Sequence, residues 1–463
     1  RAHRVGFLQC SECQLSRVAA PTLMFANQPR NLGKSFSQKS ITSKVVCNNY
    51  CKLSCKFVSV SITLFHPNCL SMERVLPITT TPVASQNSPE HPLLDTQQMV
   101  RRIFDHIDNK TTDLGTQTWN EPVANYRSQA RLDAELDLIK SSFVVFCPSL
   151  GLSNTGDYVA RSAAGVPLIA VRAEDGTAKV FRNACRHRGV QIAEGHGCKR
   201  VLVCPYHGWA YALDGQLKNI PHGSGFPEVD TKTSGLVPVP SKEINGLVYV
   251  GQEASDTAVS SLDLIPKIIP DNYELVEIEE MDVDANWKLY IESSLEGYHI
   301  RSTHTQTFFP VQYDNLTVVE GFGVNSRVTF PYQTIEKLRN KPQEEWSTDG
   351  RLTQLYHLFP NVVVSTFPNC LQVVVLEPLS LKRTRQHTYL LGRVAEGTDE
   401  QRKAMTASIL EGQAFAKTGA IEDREVVMSA QQGLNSGAND HLTFGLFESA
   451  IGRLHAGLHR ALG

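Results

Sequence analysis

The chain has 463 residues, 41% of them hydrophobic and 20% charged, with a formal net charge of −2. That is enough to bury a large core in two or three domains, which excludes a disordered chain or a mini-protein scaffold. The near-neutral balance predicts no nucleic-acid partner, and no apolar run approaches the roughly 18–20 residues of a membrane helix, so no membrane span is expected either.

The first 71 residues stand apart. They hold Cys10, Cys13, Cys47, Cys51, Cys55 and Cys69, and nine Lys or Arg against the single acid Glu12. A segment rich in Arg, Lys and Ser and nearly free of acids reads as a transit-like leader or as a stretch that does not fold, with Met72 a plausible start. The expected location is cytoplasmic, or a plastid or mitochondrion where residues 1–71 act as a transit peptide. A zinc site from Cys10-x-x-Cys13 with Cys47, Cys51 and Cys55 is disfavoured, because no histidine lies at finger-like spacing.

Residues 72–142 read as a linker, Pro77 to Pro92, followed by helices. Asp95 can cap a helix whose apolar face is Met99, Val100, Ile103, Phe104 and Ile107. Over 143–255 the texture changes to short β-rich runs (Val166 to Val171, Val201 to Val203, Leu247 to Val250) separated by Gly, Pro and Asp, the pattern of a small antiparallel β domain. Ala254 to Thr257 marks a boundary. Residues 256–463 carry longer strand-like runs at Asn361 to Ser365, Leu371 to Leu376 and His387 to Val394. A helical stretch from Glu400 to Gly433 follows, then a C-terminal helix with Phe447, Ile451, Leu454, His455 and Leu458 on one face. The fold class expected is α+β.

The first chemical signature is Cys185-Arg186-His187, then sixteen residues, then Cys204-Pro205-Tyr206-His207-Gly208-Trp209. Each half places a thiolate and an imidazole on a short loop, and Gly189, Pro205 and Gly208 supply the sharp turns. Two such loops suit a dinuclear centre with two thiolates on one iron and two imidazoles on the other, the ligand set of a Rieske [2Fe–2S] cluster. Zinc sites group Cys with Cys and His with His, so zinc is the weaker reading. Cys198, between the halves, reads as a bystander.

The second signature is Asn286-Trp287-Lys288, Glu292, Glu296-Gly297-Tyr298-His299 and His304. Glu296 and His299 are three apart and are expected to share a helix face. His299 and His304 lie roughly 140° apart on an ideal helix, so both can meet one metal only where the helix ends or bulges. An iron that activates O₂ needs open positions, which two His and one carboxylate on one face leave free. The carboxylate is expected from Glu422, Asp423 or Glu425. Asp423 is preferred because Ile421, Val426 and Val427 mark that side of the helix as apolar.

On these motifs the chain resembles the catalytic α subunit of the Rieske non-haem iron oxygenases, the aromatic-ring-hydroxylating dioxygenase superfamily, over about Phe143 to Gly463. The resemblance implies a Rieske domain joined to a helix-grip catalytic domain of antiparallel sheet and helices. It maps Cys185, His187, Cys204 and His207 onto the cluster ligands and His299, His304 and Asp423 onto the facial triad of a mononuclear Fe(II). It maps Glu296 onto the acid that links the two metal sites. Two departures stand out: Ser293 follows Glu292 where Asn is common, and the linking acid is Glu where ring-hydroxylating dioxygenases usually have Asp. Relatives acting on quaternary amines such as choline and carnitine have Glu there.

The activity implied is reductive O₂ activation leading to hydroxylation, cis-dihydroxylation or oxidative demethylation of a small organic substrate, aromatic or a quaternary amine. NAD(P)H electrons are expected through a separate reductase, with or without a ferredoxin, since no GxGxxG fingerprint follows a strand. A homotrimer or a complex with a small β subunit is implied. The rival readings are a Rieske electron carrier and a non-catalytic binding protein descended from the family.

Overall fold

The computed structural model describes residues 93–254, 262–393 and 397–463. The leader expected over residues 1–71, with its candidate cysteine site, lies outside the described residues, as do the whole Pro77 to Pro92 linker and most of the Ala254 to Thr257 boundary. No helix among the described residues is long and apolar enough to cross a membrane.

Helix α1 (Thr96–Asn109) starts where the sequence predicts. Asp95 accepts from the Gln98 amide at 2.8 Å and Gln98 returns a bond to the Asp95 amide, a reciprocal cap worth about 1 kcal/mol. Its buried stripe of Met99, Val100, Ile103 and Phe104 packs on Val318, Ile335, Leu338 and Leu352. The short α2 (Ala124–Arg127) leads into α3 (Gln129–Ser141), which buries Leu132, Glu135 and Ile139.

Between Val144 and Val250 all strands pair antiparallel. A five-stranded sheet runs in the spatial order Pro238–Val239, Ala178–Arg182, Val166–Arg172, Asp157–Ala163, Gly195–Cys198. Two three-stranded sheets flank it: Ser241–Ile244, Leu247–Val250 and Val144–Pro148 form one, and Leu202–Val203, Ala210–Tyr211 and Leu217–Asn219 the other. The small second sheet is the stem of one Cys/His loop.

The remainder is built on a seven-stranded antiparallel sheet. Its order is Tyr273–Val283, Arg383–Arg393, Cys370–Ser380, Val362–Phe367, Leu352–Leu358, Asn325–Pro331, Val318–Phe322. Successive strand residues point to opposite faces. Val362 and Val364 therefore join a core shared with Val145, Phe146 and Leu247, while Val363 faces Trp287, Ile291 and Leu454. Burial on both faces explains why these strands read as unbroken apolar runs. On the Trp287 side lie α4 (Trp287–Ser294), α5 (Ile300–Thr303), the long α6 (Asp399–Leu434) and α7 (Ser449–Leu462). α6 is also anchored by a reciprocal cap, between Thr398 and Gln401.

Candidate functional site

The two Cys/His loops are near copies in backbone terms. In the first, the Cys185 amide donates to Val190 O (2.8 Å) and the Gly189 amide to Cys185 O (2.9 Å). In the second, the Cys204 amide donates to Trp209 O (2.8 Å) and the Gly208 amide to Cys204 O (3.1 Å). Both turns close through a left-handed residue, Gly189 at φ 74° and Gly208 at φ 70°, a conformation glycine adopts without steric cost. Folding the loops this way buries both thiols and leaves both imidazoles toward the rim, His207 exposed.

The ligand atoms sort into two pairs. His187 Nδ1 and His207 Nδ1 are 3.1 Å apart. Burial pushes the Cys204 thiol up, the backbone amides of Tyr206 and His207 pull it down, and the adjacent Cys185 adds to the rise. Cys185 Sγ lies 3.2 Å from the Tyr211 hydroxyl, which accepts from the Arg186 amide at 3.0 Å. Desolvation, His187 and Arg188 hold His207 below the ordinary imidazole value, favouring the neutral form that binds metal. Sulfur at one end and imidazole at the other fit a [2Fe–2S] cluster of mixed ligation. Trp209 stacks on His187 (5.0 Å, 6°) and Tyr206 on His207 (3.7 Å, 29°), fixing both ring planes.

The second site begins at α4, capped by Asn286, whose side chain accepts from the Lys288 amide at 3.1 Å. Trp287 and Lys288 are both buried and both bond Glu135 of α3: indole Nε1 at 2.9 Å, Lys288 Nζ at 2.8 Å. Breaking such a buried pair by removing one partner costs about 3–5 kcal/mol. α4 ends at Ser294, so Glu296 and His299 do not share a continuous helix face as the spacing predicts. A turn joins them instead. The Glu296 carboxylate accepts from the amides of Tyr298 and His299 and from His299 Nδ1. The helix break also lets His299 and His304 converge.

His299 Nε2, His304 Nε2 and Asp423 Oδ1 face a common point, at separations of 3.1 Å between the imidazoles, 3.3 Å from His299 to Asp423, and 3.0 Å from His304 to Asp423. An octahedral face with such edges corresponds to metal–ligand bonds of about 2.2 Å, near the usual range for imidazole and carboxylate. Behind the triad, His304 Nδ1 donates to Glu422 Oε2 (2.7 Å), which also accepts from the Thr307 hydroxyl (2.6 Å). Each imidazole thus spends its Nδ1 proton on a glutamate and turns its Nε2 lone pair inward. Asp423 Oδ1 is buried and receives no hydrogen bond.

The electrostatics of the cluster suit a cation at its centre. Burial pushes His299 down, yet Asp423 and Glu296 win and lift it to about 10. Burial pushes Asp423 up, and His299 and His304 hold it below the usual carboxylate range. Three carboxylates, Glu296, Glu422 and Asp423, surround two imidazoles, a charge of the sign that a divalent ion offsets in large part. These residues fit a mononuclear iron.

Two expectations need correction in detail. Ile421 and Val426 are 49% and 47% exposed, so they do not mark the inner side of α6; Val427, at 2%, does. Glu422, one of the three carboxylates weighed as ligands, stands behind His304 and not beside the triad. Ser293 turns its hydroxyl back to Tyr290 O at 2.9 Å, and Cys198 is exposed with Sγ 3.7 Å from Thr155 O. Tyr211, Thr307 and Glu135 were not singled out by sequence, because their partners are distant in the chain or unmarked by spacing.

Around the triad, Phe308 meets His304 edge-on at 4.7 Å and Phe415 at 5.5 Å. Gly419 makes room for it, since a Cβ there would lie 2.5 Å from the Phe308 ring. Tyr290 is raised by burial and by Asp423 beside it. On the other side of Glu296 a cavity of about 700 Å³ is lined by Glu292, Ser293, Glu296, Phe444 and Glu448 among others.

The model of the Rieske [2Fe-2S] domain family matches residues 142–232, and that of the ring hydroxylating alpha subunit catalytic domain matches 270–463. The chain is 28% identical over 341 residues to the carnitine monooxygenase oxygenase subunit of Escherichia coli K12, covering 69% of this chain and 85% of that protein. It is 28% identical over 275 residues to putrescine 2-hydroxylase of Ralstonia nicotianae (57% and 74%) and 24% identical over 329 residues to the chloroplastic choline monooxygenase of Beta vulgaris (66% and 68%). Among solved structures, the quaternary ammonium Rieske monooxygenase CntA with L-carnitine gives a TM-score of 0.60 at 22% identity, over 74% of this chain and 95% of that one. Naphthalene 1,2-dioxygenase from a Rhodococcus species gives 0.59 at 17%, over 79% and 98%. At these identities the solved structures show a shared fold.

Proposed function

The chain belongs to the Rieske non-haem iron oxygenases, and from that premise we propose that it inserts one oxygen atom into a small quaternary amine. Within this reading residues 143–255 form the cluster domain and 256–463 the iron domain. Cys185, His187, Cys204 and His207 hold the [2Fe–2S] cluster, and His299, His304 and Asp423 hold the iron. The observation that carries the reading is the convergence of three lone-pair atoms at 3.0–3.3 Å in one chain with the paired Cys/His loops. A Rieske carrier without oxygenase chemistry has no use for such an inward set. Iron content separates the two: three irons per chain for the oxygenase, two for the carrier.

When bound, the cluster supplies electrons singly and the iron supplies the open positions where O₂ is reduced beside the substrate. Family members receive those electrons from a separate reductase. The chain's own residues do the positioning. Glu296 and Glu422 fix the imidazole planes through Nδ1, so neither ring can rotate away from the centre. Phe308 covers one side of His304 and is backed edge-on by the partly exposed Phe415, which puts aromatic rings, the kind of surface that attracts an onium group, beside the triad. The glutamate at 296 and the amine-acting relatives support the same substrate class.

We also propose a head-to-tail ring of copies, most simply a trimer, with no β subunit needed to complete the site. The rim around the cluster loops exposes Val201, Val203 and Tyr206, and Glu296 lies at the wall of an open cavity. In such a ring Glu296 accepts from His299 within its own copy and from the outer nitrogen of His207 in a neighbouring copy. The test is a screen of the reconstituted protein with its reductase against choline, glycine betaine, L-carnitine, putrescine and naphthalene, scoring O₂ uptake and product mass together. One added oxygen, or loss of a methyl as formaldehyde, from a trimethylammonium compound supports the proposal. A two-oxygen gain on naphthalene alone overturns it.

A further inference from the structure

Oxygen insertion into a C–H bond consumes one O₂, two electrons and two protons, leaving one oxygen in the product and one in water. The electrons come through the cluster and bring no protons with them. Each charge entering a low-dielectric site is costly unless a proton follows it. In the head-to-tail reading, on which this inference rests, a neighbouring copy covers the cavity at Glu296 while electrons arrive. Protons then need a second way in.

We infer that His459, Glu121, His455 and Glu292 form a proton relay from the surface to that cavity. His459, on the last turns of α7, is 41% exposed at its side chain and its Nε2 lies 3.0 Å from Glu121 Oε2. Glu121, wholly buried on the strand Trp119–Pro122, lies 3.4 Å from His455 Nδ1. His455 Nε2 lies 3.0 Å from Glu292 Oε1, and Glu292 lines the same cavity as Glu296. Three links therefore join solvent to the cavity. The outer two are hydrogen bonds; the middle one, at 3.4 Å, is an approach in which the buried His455 Nδ1 has no hydrogen-bond partner, so transfer there needs the ring and the Glu121 carboxylate to close up.

His455 is built as the junction. It is fully buried between two near-parallel rings, Trp119 (6.4 Å, 13°) and Phe444 (5.7 Å, 20°). The ring bonds Glu292 through Nε2 and leaves Nδ1, unpartnered, 3.4 Å from Glu121, so a proton taken on Nδ1 can be released from Nε2. Burial pushes Glu121 up, but the bond to His459, the nearby His455, Asn125 at 2.6 Å and Trp119 Nε1 at 2.9 Å outweigh it and hold the carboxyl below the usual range. Tyr126 donates to Glu292 at 2.7 Å and stands 3.3 Å from His455 Nε2. Beyond Tyr126 lie Lys288, Glu135 and Arg131, paired with one another and outside the line. A network that served only to clamp α7 to α4 is replaceable by apolar packing at little loss. The fully buried histidine with a carboxylate at each end has a use in moving protons.

The test uses the full-length holoenzyme with its reductase, with an equimolar mixture of choline, glycine betaine and L-carnitine as the probe. His459→Ala should slow O₂ uptake severalfold and His455→Asn about ten- to hundredfold, with a solvent isotope effect above about 2 in both. Added imidazole should restore His459→Ala, whose site is open to solvent. Oligomeric state, iron content and circular dichroism should match wild type. Infrared difference spectra on reduction, taken without substrate, should show a carboxyl band that Glu292→Gln removes. Slowed variants with no isotope effect and no imidazole rescue indicate a structural clamp and overturn the relay, as does unchanged turnover in both. Wild type that consumes no O₂ with the mixture overturns the substrate reading instead, and the infrared band alone then decides the relay: its presence supports it and its absence overturns it.

Discussion

At the cluster loops all four candidate ligands come from the stretch between Cys185 and His207, and each loop is held by its own backbone hydrogen bonds. At the triad, His299 and His304 come from the break after α4 and Asp423 from the C-terminal third of α6, and each imidazole is steadied by a glutamate side chain. One centre is thus local and braced by main chain; the other is assembled late and braced by buried charge. The difference teaches where each is fragile. Backbone bracing survives most side-chain substitutions outside the ligands, whereas a site braced by carboxylates is exposed to every change in them.

The largest expected effects come from cutting the two centres separately. Cys185→Ser or His207→Ala should abolish the Rieske EPR signal and colour while the mononuclear site still takes iron, and Asp423→Ala, His299→Ala or His304→Ala should do the reverse. Turnover should vanish in all five. A normal Rieske spectrum in Cys185→Ser, or retained mononuclear iron in Asp423→Ala, would break the comparison at once.

Glu296→Ala probes the contact between the two kinds of site. It should keep both iron centres and the oligomer yet lose nearly all turnover, with the pre-reduced cluster failing to reoxidise on addition of substrate and O₂. Glu296→Gln should lose less, because it keeps the shape and part of the hydrogen bonding. Wild-type reoxidation kinetics in Glu296→Ala, followed by stopped-flow absorbance, would remove the case for a shared route between copies.

Glu422→Gln sharpens the claim that buried charge braces the triad. Loss of a supporting partner typically costs about ten- to hundredfold in metal affinity or activity. Iron titration should show weaker binding with an unchanged Rieske spectrum, and an affinity equal to wild type would mean that Thr307 and packing suffice. The smallest effect is expected at the backbone-braced centre. Tyr211→Phe removes one hydrogen bond from Cys185, worth about 1 kcal/mol, or roughly 40 mV for a one-electron couple. The reduction potential should fall by that order, since the bond favours the more negative reduced cluster, and voltammetry reads it directly.

The same contrast explains what could be read in advance. The Cys/His loops advertise themselves because the ligands, the turn glycines and the stacking Trp209 lie within a few positions of one another. The sheet was legible where both faces are covered, as at Val362 to Val364 and Val373 to Val375. The strand Tyr273–Val283 was not, because it lies at the sheet's edge and carries acids paired across to Arg385, Arg383 and Lys417. The triad's histidines were visible as a spacing that demands a helix break. The choice among Glu422, Asp423 and Glu425 depended on the phase of α6, and exposed Ile421 and Val426 misstate that phase. Lys288 in a buried ion pair with Glu135 has no local signature, since its partner lies in another helix far back in the chain.

Glu422 and Asp423 are neighbours on α6, separated by about 100° around its axis, and they meet opposite nitrogens of one ring: Glu422 accepts from His304 Nδ1 at 2.7 Å, and Asp423 Oδ1 lies 3.0 Å from Nε2. The helix therefore brackets the imidazole, with one carboxylate on each side of it. The orientation of that histidine is in this way tied to a helix of 36 residues, whose N-terminal half is itself anchored on the outer strands of the sheet by Ile409 on Leu390 and Arg402 on Glu274.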